Sequence, residues 1–262
     1  MQPDIEWFQE VDSTSDYVRR LVEQRKLFPP ATIAALKQTA GRGRGDNRWW
    51  SPEGCLMFTS LLDSRLYARE VACLPQAALV IGVALADVLS QYIDAQRVHL
   101  KWPNDVYVGD CKIAGILVEG IQAPLEQLPA IRLESMSEST GFWWMVGVGL
   151  NLAINWDGAP PDVRRRATCL ATESGISFTP HDFLPKILDS FVVHLNRWRI
   201  APNVVFDGFR ERCWLNGKLI EVQQGNVRLR GLCRSIDDSG RLLLASETGT
   251  RSISSGSITV VE

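Results

Sequence analysis

No C-x-x-C pair occurs among the six cysteines, which lie far apart at Cys55, Cys73, Cys111, Cys169, Cys213 and Cys233. That spacing argues against a zinc ribbon, a redox motif or a dense disulfide framework, and it fits a reducing cytoplasm. Histidine is scarce as well. His99, His181 and His194 have no spacing that suits zinc or a nucleophile–base pair, so structural roles are the default for all three. Neither sign of charge dominates: 28 basic and 30 acidic side chains leave a formal charge of −2, which gives no general attraction toward nucleic acid or an anionic membrane. Long apolar runs are missing too. The longest, Ala77 to Ala86, spans ten residues and is too short to cross a bilayer, so it reads as a buried helix. The opening MQPDIEWFQE lacks the basic start and apolar centre of a signal peptide.

What is present divides into two textures. A chain of 262 residues has room for one large domain and a small appendage. In the first texture, a strand at Ile5–Phe8 leads into "VDSTSDYVRRLVEQ", where Ser13 caps a helix with Asp16 three residues on. Short apolar or alternating runs bounded by Gly, Pro and Asp mark further strands: "TIAALKQ", "CLMFTSLL", "VHLKWP", "KIAGILVEG" and "FWWMVGVGLNLAI". Helices are predicted over 75–93 and 182–198, and another in "VVFDGFRERC". The segment 122–141 reads as an extended hairpin connection. Beyond Trp214 the texture changes to short alternating runs separated by Gly-Asn, Asp-Ser-Gly and Gly-Thr, which predicts a small antiparallel β-module. The predicted division is 1–213 and 214–262.

Three stretches carry candidate chemistry. In "QTAGRGRGDNRWWSPEG", Gly41, Gly43 and Gly45 free the backbone to present N–H groups to an anion, while Arg42 and Arg44 can add forked, charge-assisted bonds. A solvated glycine-rich turn is the competing reading of that stretch. It is not a Walker A loop, because the lysine and hydroxyl of that motif are absent. In "KWPNDVYVGDCKIAGILVEG", Pro103 forces a turn, so Asn104 and Asp105 sit where a strand gives way to a loop and Lys112 opens the next strand. Those three polar residues read either as ligand contacts or as parts of a plain hairpin, with Asn104 and Asp105 as ordinary turn formers and Lys112 as a solvated edge charge. In "GVGLNLAI", Gly147 and Gly149 on an otherwise buried strand imply close approach of a ligand or another backbone, with Asn151 as a polar group beyond them.

Together with "DSTS", these strings, in this order and at these separations, resemble the catalytic domain of biotin protein ligases, and the resemblance extends more weakly through the C-terminal module to "SSGSITVV". It implies an α/β (α+β) fold, a mixed sheet flanked by helices as in class II synthetase-like catalytic domains, followed by a small SH3-like β-barrel. It implies ATP-dependent conversion of biotin to biotinyl-5'-AMP and transfer to one lysine of a biotin carboxyl carrier domain, with Mg2+ accompanying the nucleotide. By the same resemblance, Ser13, Thr14, Ser15 and Gln38 lie at the biotin headgroup. Gly41, Arg42, Gly43 and Arg44 close over the biotin carboxylate and the adenylate phosphate, with Trp49 near the biotin chain and Gly115 beside it. Lys112 touches both the carboxylate and the α-phosphate, which gives it and Arg44 catalytic roles. Asn104, Asp105 and Asn151 lie near the nucleotide. Trp50 is expected in the core. No dedicated cluster of metal ligands is expected.

The sequence departs from the family pattern in three places. "GRGRGDN" stands where many bacterial members have a third arginine, Ser15 replaces the usual asparagine, and the 122–141 connection is long. No winged helix-turn-helix stands ahead of the first ligase strand at Ile5, so a repressor role with DNA as partner is not expected; the balanced charge and short apolar runs give no reason to expect a membrane, and a homodimer stays open because the family includes monomers and dimers. Two competitors remain. A lipoate or octanoate ligase of the same superfamily would carry an arginine-rich triple-glycine motif that is not found here, and a catalytically idle biotin-binding module would not need Lys112, Arg42 and Arg44 together.

Overall fold

The computed structural model describes residues 4–67, 73–123, 142–247 and 249–261. Seven strands form the larger sheet: β1 (Asp4–Phe8), β2 (Ala31–Ala35), β3 (Cys55–Asp63), β4 (Val98–Lys101), β5 (Asp105–Val108), β6 (Cys111–Gln122) and β7 (Phe142–Asn151). Their order is β1-β2-β3-β7-β6-β5-β4. Only β1 and β2 run parallel, and every other neighbouring pair is antiparallel. The mixed sheet expected from the sequence is therefore present.

Side-chain alternation along β6 and β7 builds two different faces. Trp144, Val146, Val148 and Leu150 join Ala114 and Ile116 in the main core. That face is covered by α2 (Leu74–Leu89), apolar around its whole circumference, which α5 (Pro180–Ile200) and α6 (Pro202–Glu211) in turn bury. On the other face, Trp143, Met145 and Ile121 pack with Val18 and Val22 of α1 (Thr14–Glu23). The next β7 residues on this second face are Gly147 and Gly149, so the sheet there is bare backbone. The helix α1 starts where the sequence placed its cap, with the Ser13 hydroxyl accepting from the Asp16 amide at 3.4 Å.

Two stretches differ from the sequence reading. The loop expected after Asn104 and Asp105 is a strand, β5, because Gly109 takes a left-handed φ of 57° and closes a tight hairpin into β6. Two short helices, α3 (Pro161–Arg166) and α4 (Leu170–Ser174), occupy a stretch to which no element was assigned. The expected 122–141 connection lies, after its first two residues, outside the described residues. No helix among the described residues is long and apolar enough to cross a membrane.

The C-terminal sheet comprises β8 (Leu219–Gln224), β9 (Val227–Ile236), β10 (Leu242–Ser246), β11 (Gly249–Ile253) and β12 (Ser257–Val260). They are antiparallel, in the order β11-β10-β9-β8-β12. This sheet is fastened to the larger one. Trp214 donates its backbone N–H to the Leu100 carbonyl at 2.9 Å, and the buried Trp102 indole N–H reaches the Gly240 carbonyl at 3.1 Å. Ile220, Val222 and Leu242 belong to the same apolar cluster as α2.

Gly240 is the tightest point of that junction. Its φ is 72°, and a Cβ there would stand 2.8 Å from Leu79 Cδ1. We expect Gly240→Ala to lower stability by about 1–3 kcal/mol, from the left-handed backbone and the overpacked contact together. The shift in denaturant midpoint measures it, and an unchanged midpoint would mean that the junction is looser than described.

Candidate active site

The bare backbone on β6 and β7 floors a cavity of about 340 Å3, within the range of small-molecule sites. Its walls come from four places: Ser13–Ser15 with Gln38, the loop from Arg42 to Trp49, the β4–β5 turn from Lys101 to Asp105 with Lys112, and Ser257 and Ile258 of β12.

At one end, polar side chains are wired to each other in a buried setting. Thr14 donates through its backbone N–H and its hydroxyl to Gln38 Oε1 at 2.8 and 3.1 Å, and Gln38 Nε2 donates to Ser51 Oγ at 3.0 Å. The Ser15 hydroxyl is 3.0 Å from Thr59 Oγ1, which donates to Thr14 Oγ1 at 2.9 Å. Gly147 makes room for this group, since a Cβ there would lie 2.8 Å from Ser15 Oγ. Fixed hydroxyls and one amide offer both donors and acceptors, which suits a small neutral polar ring better than a charge.

The middle of the cavity is defined by Trp49. Gly115 and Gly149 face each other across β6 and β7, and the indole rests on both. A Cβ at Gly149 would come within 2.4 Å of the ring, and one at Gly115 within 3.0 Å. The β7 glycines are approached closely, though the groups nearest to them are the Trp49 ring and the Ser15 hydroxyl and not the ligand or second backbone expected from the sequence. Trp50 points away from the floor and stacks on Trp156 at 6.0 Å, half-buried against a small cluster that includes Cys55 and Met57.

At the far end, cations and a carboxylate meet. Lys112 Nζ lies 2.6 Å from Asp105 Oδ1 and 5.3 Å from the Trp49 ring centroid. The reading of Lys112 as an edge charge fails: its backbone pairs with Tyr107 on one side and Ala167 on the other, and the sheet edge is β4. Arg44 donates to the Gly256 carbonyl at 2.5 Å, and burial pushes its guanidinium pKa down. Lys101 stands 5.4 Å from the Tyr107 ring centroid, with its pKa lowered by burial and supported by the nearby Asp105 charge.

Three expected residues play other parts. Asn104 lines the cavity, but its amide donates to the Ile116 carbonyl at 2.7 Å and ties the β4–β5 turn to β6. Asn151 is buried outside the lining, donating to the Thr168 carbonyl at 2.9 Å. Gly41 also stays outside the lining, tucked beneath Ser51 and the Trp49 carbonyl. Arg42 lines the cavity with its guanidinium already engaged, by Asp16 at 2.8 Å and Glu119 at 2.9 Å. Sequence reasoning missed Thr59, Lys101, Glu119 and the β12 residues. For Glu119 a signal existed, because strand alternation puts it on the face of Gly115. Among the described residues, no three His, Cys, Asp or Glu side chains come together as a metal cluster would require.

A two-faced mixed sheet with a polar pocket at one end and converging cations at the other is the frame of a ligase that handles a small carboxylic acid. Residues 7–131 match the Biotin/lipoate A/B protein ligase family, and residues 217–261 match the Biotin protein ligase C terminal domain. The chain is 30% identical, over 88% of its own length and 92% of the relative's, to the biotin--[acetyl-CoA-carboxylase] ligase of Paracoccus denitrificans. It is 28% identical to the bifunctional ligase/repressor BirA of Salmonella typhimurium, over 90% of this chain and 68% of that protein. Among solved structures it resembles the biotin protein ligase from Aquifex aeolicus in complex with biotin and ATP, with a TM-score of 0.78, 26% identity and 98% of each chain covered. The chain belongs to the biotin/lipoate A/B protein ligase family, within which it is a biotin protein ligase.

The glycine floor generates a direct test. Gly149→Ala should leave the strand intact but lift the Trp49 indole from its seat, weakening biotin binding on the order of tenfold, about 1.4 kcal/mol. Biotin titration by calorimetry reads the change, and native affinity in the variant would show that the ring's seat does not matter.

Proposed function

We propose that the protein adenylates the biotin carboxylate with ATP and passes the biotinyl group to the acceptor lysine of a biotin carboxyl carrier domain. The observation that carries this reading is the convergence of Lys112, Arg44 and Trp49 on one cavity whose opposite end is the Ser13–Gln38 hydrogen-bonding network.

In the first half-reaction a biotin carboxylate oxygen attacks the α-phosphorus of ATP, the bond to the bridging oxygen breaks, and pyrophosphate leaves. Two anions must approach, and a fixed ammonium between them offsets their repulsion and stabilises charge growing at phosphorus. Lys112 suits that task because the β6 backbone holds it and the Trp49 ring flanks it. Its present partner Asp105 is the carboxylate of the cavity wall. Asp105 would hold Mg2+ there, since a carboxylate oxygen is the hard donor that this ion takes from a protein. The ion would neutralise phosphate charge there. Arg44 would exchange the Gly256 carbonyl for a phosphate oxygen, a stronger charge-assisted partner. In the second half-reaction the carrier's lysine amine attacks the acyl carbon, AMP departs, and the amine proton is lost to solvent. In this scheme residues 1–213 form the catalytic unit. Residues 214–262 close its nucleotide end through Gly256, Ser257 and Ile258. Asn151 acts indirectly, by fixing the Thr168 segment that pairs with the Lys112 backbone.

The test is Lys112→Ala, assayed by biotin-dependent exchange of labelled pyrophosphate into ATP. We expect a loss of about a hundredfold or more, the scale of removing one preorganised charge from a transition state, with the melting temperature retained. Near-native exchange in a folded variant would reject the assignment, and native exchange with lipoate or octanoate in place of biotin would favour the sister activity.

A further inference from the structure

The loop that roofs the cavity has few fastenings. Within it, Gly43 N–H donates to the Asn47 carbonyl at 2.8 Å, Asn47 N–H to the Arg44 carbonyl at 3.4 Å, and Trp49 N–H to the Gly41 carbonyl at 2.9 Å. These bonds shape the loop but do not attach it to the body. Beyond the shoulder, where the Thr39 and Ala40 N–H groups donate to the Val11 and Asp12 carbonyls at 3.0 and 2.8 Å, attachment falls to side chains, and Arg42 has the most bonds among them. Its guanidinium donates to Asp16 Oδ1 on α1 at 2.8 Å and to both oxygens of Glu119 on β6, at 2.9 and 3.2 Å. Glu119 is also held by Arg19 of α1 at 3.2 Å. The four groups are partly shielded from water, with Glu119 the most buried at 20% side-chain exposure, and the Glu119 hydrogen bond raises the Arg42 pKa above its ordinary value.

We infer that Glu119, with Asp16, is a positioning residue that pins the roof loop through Arg42, so that Arg42 anchors the loop and Arg44 is left as the loop arginine that meets the ligand's anion. Two geometric facts support this division of labour. The planar guanidinium is forked onto the Glu119 carboxylate, the arrangement that gives arginine its most specific pairing. Arg44, by contrast, has only a carbonyl to surrender. The opposite view would make Glu119 and Asp16 decoys that hold Arg42 until a ligand carboxylate replaces them. The two views differ in sign. Removing an anchor loosens the roof and lets a bound adenylate escape, whereas removing a decoy frees a cation and tightens the grip.

The inference rests on the adenylation reading, and the experiment separates the two. Purified protein is charged with biotin, ATP and magnesium, freed of excess ligand, and followed for release of biotinyl-AMP without a carrier. Glu119→Gln should release it faster, on the order of tenfold, the scale of one charge-assisted pair in a half-exposed setting. Arg42→Ala, which loses the Asp16 contact as well, should release it at least as fast, and the double variant should be no faster than Arg42→Ala alone, as expected of a shared contact. Release that is unchanged or slower in folded Glu119→Gln, or additive effects in the double variant, would overturn the inference. If Glu119→Gln fails to fold, Asp16→Asn carries the same test, with faster release supporting the anchor and unchanged release refuting it. Failure of the native protein to support biotin-dependent pyrophosphate exchange would instead reject the adenylation reading.

Discussion

The site depends on the absence of two side chains. Gly115 and Gly149 lie opposite each other on adjoining strands, and only bare backbone lets the Trp49 ring come down onto the sheet. With a Cβ at either position the ring must shift, by more at Gly149 than at Gly115. A Cβ at Gly115 would also stand 3.3 Å from Lys112 Nζ. The ring and the ammonium therefore share one seat, and a cation over an aromatic face gains about 0.5–2 kcal/mol depending on how far it is desolvated. Because β6 is paired on both sides at Lys112, the backbone that carries this side chain belongs to the sheet and not to a flexible loop, and Asp105 and the Trp49 ring position the ammonium itself. Fixing a charge before the reaction is what makes it effective in the transition state.

Three cations lining the cavity near Trp49 each have a protein partner, and the partners differ in strength. Arg42 has two carboxylates, Lys112 has one, and Arg44 has a neutral carbonyl. Arriving phosphate competes easily with a carbonyl, less easily with one carboxylate, and poorly with two. This order is consistent with the proposed roles: Arg42 as anchor, Lys112 as the cation that exchanges partners during chemistry, and Arg44 as the clamp on the product of the first step. The carbonyl that Arg44 contacts belongs to Gly256, in the connection between β11 and β12, so this side chain bridges the roof loop and the C-terminal sheet.

Much of this was legible before any coordinates. The Ser13 cap and the glycine-rich, arginine-bearing loop could be read directly, as could the lysine opening a strand and the β7 glycines with nothing of their own to bury. Strand β5 was missed because "DVYV" is short and its hairpin turn is signalled only by Gly109. The engagement of Arg42 was missed for a different reason: Asp16 and Glu119 lie 26 and 77 residues away in sequence, and only the crossing of α1 over the sheet brings them to one guanidinium. Asn104 and Asn151 were placed near the nucleotide by the family resemblance alone. Their amides are instead committed to the Ile116 and Thr168 carbonyls, bonds that depend on tertiary neighbours.

The most direct measurement is the intact mass of a biotin carboxyl carrier domain after incubation with the native protein, biotin, ATP and magnesium. The expected result is a gain of one biotinyl group, abolished when the carrier's acceptor lysine is replaced by arginine or when ATP is omitted. No gain under these conditions, or an equal gain with lipoate in place of biotin, would contradict the account.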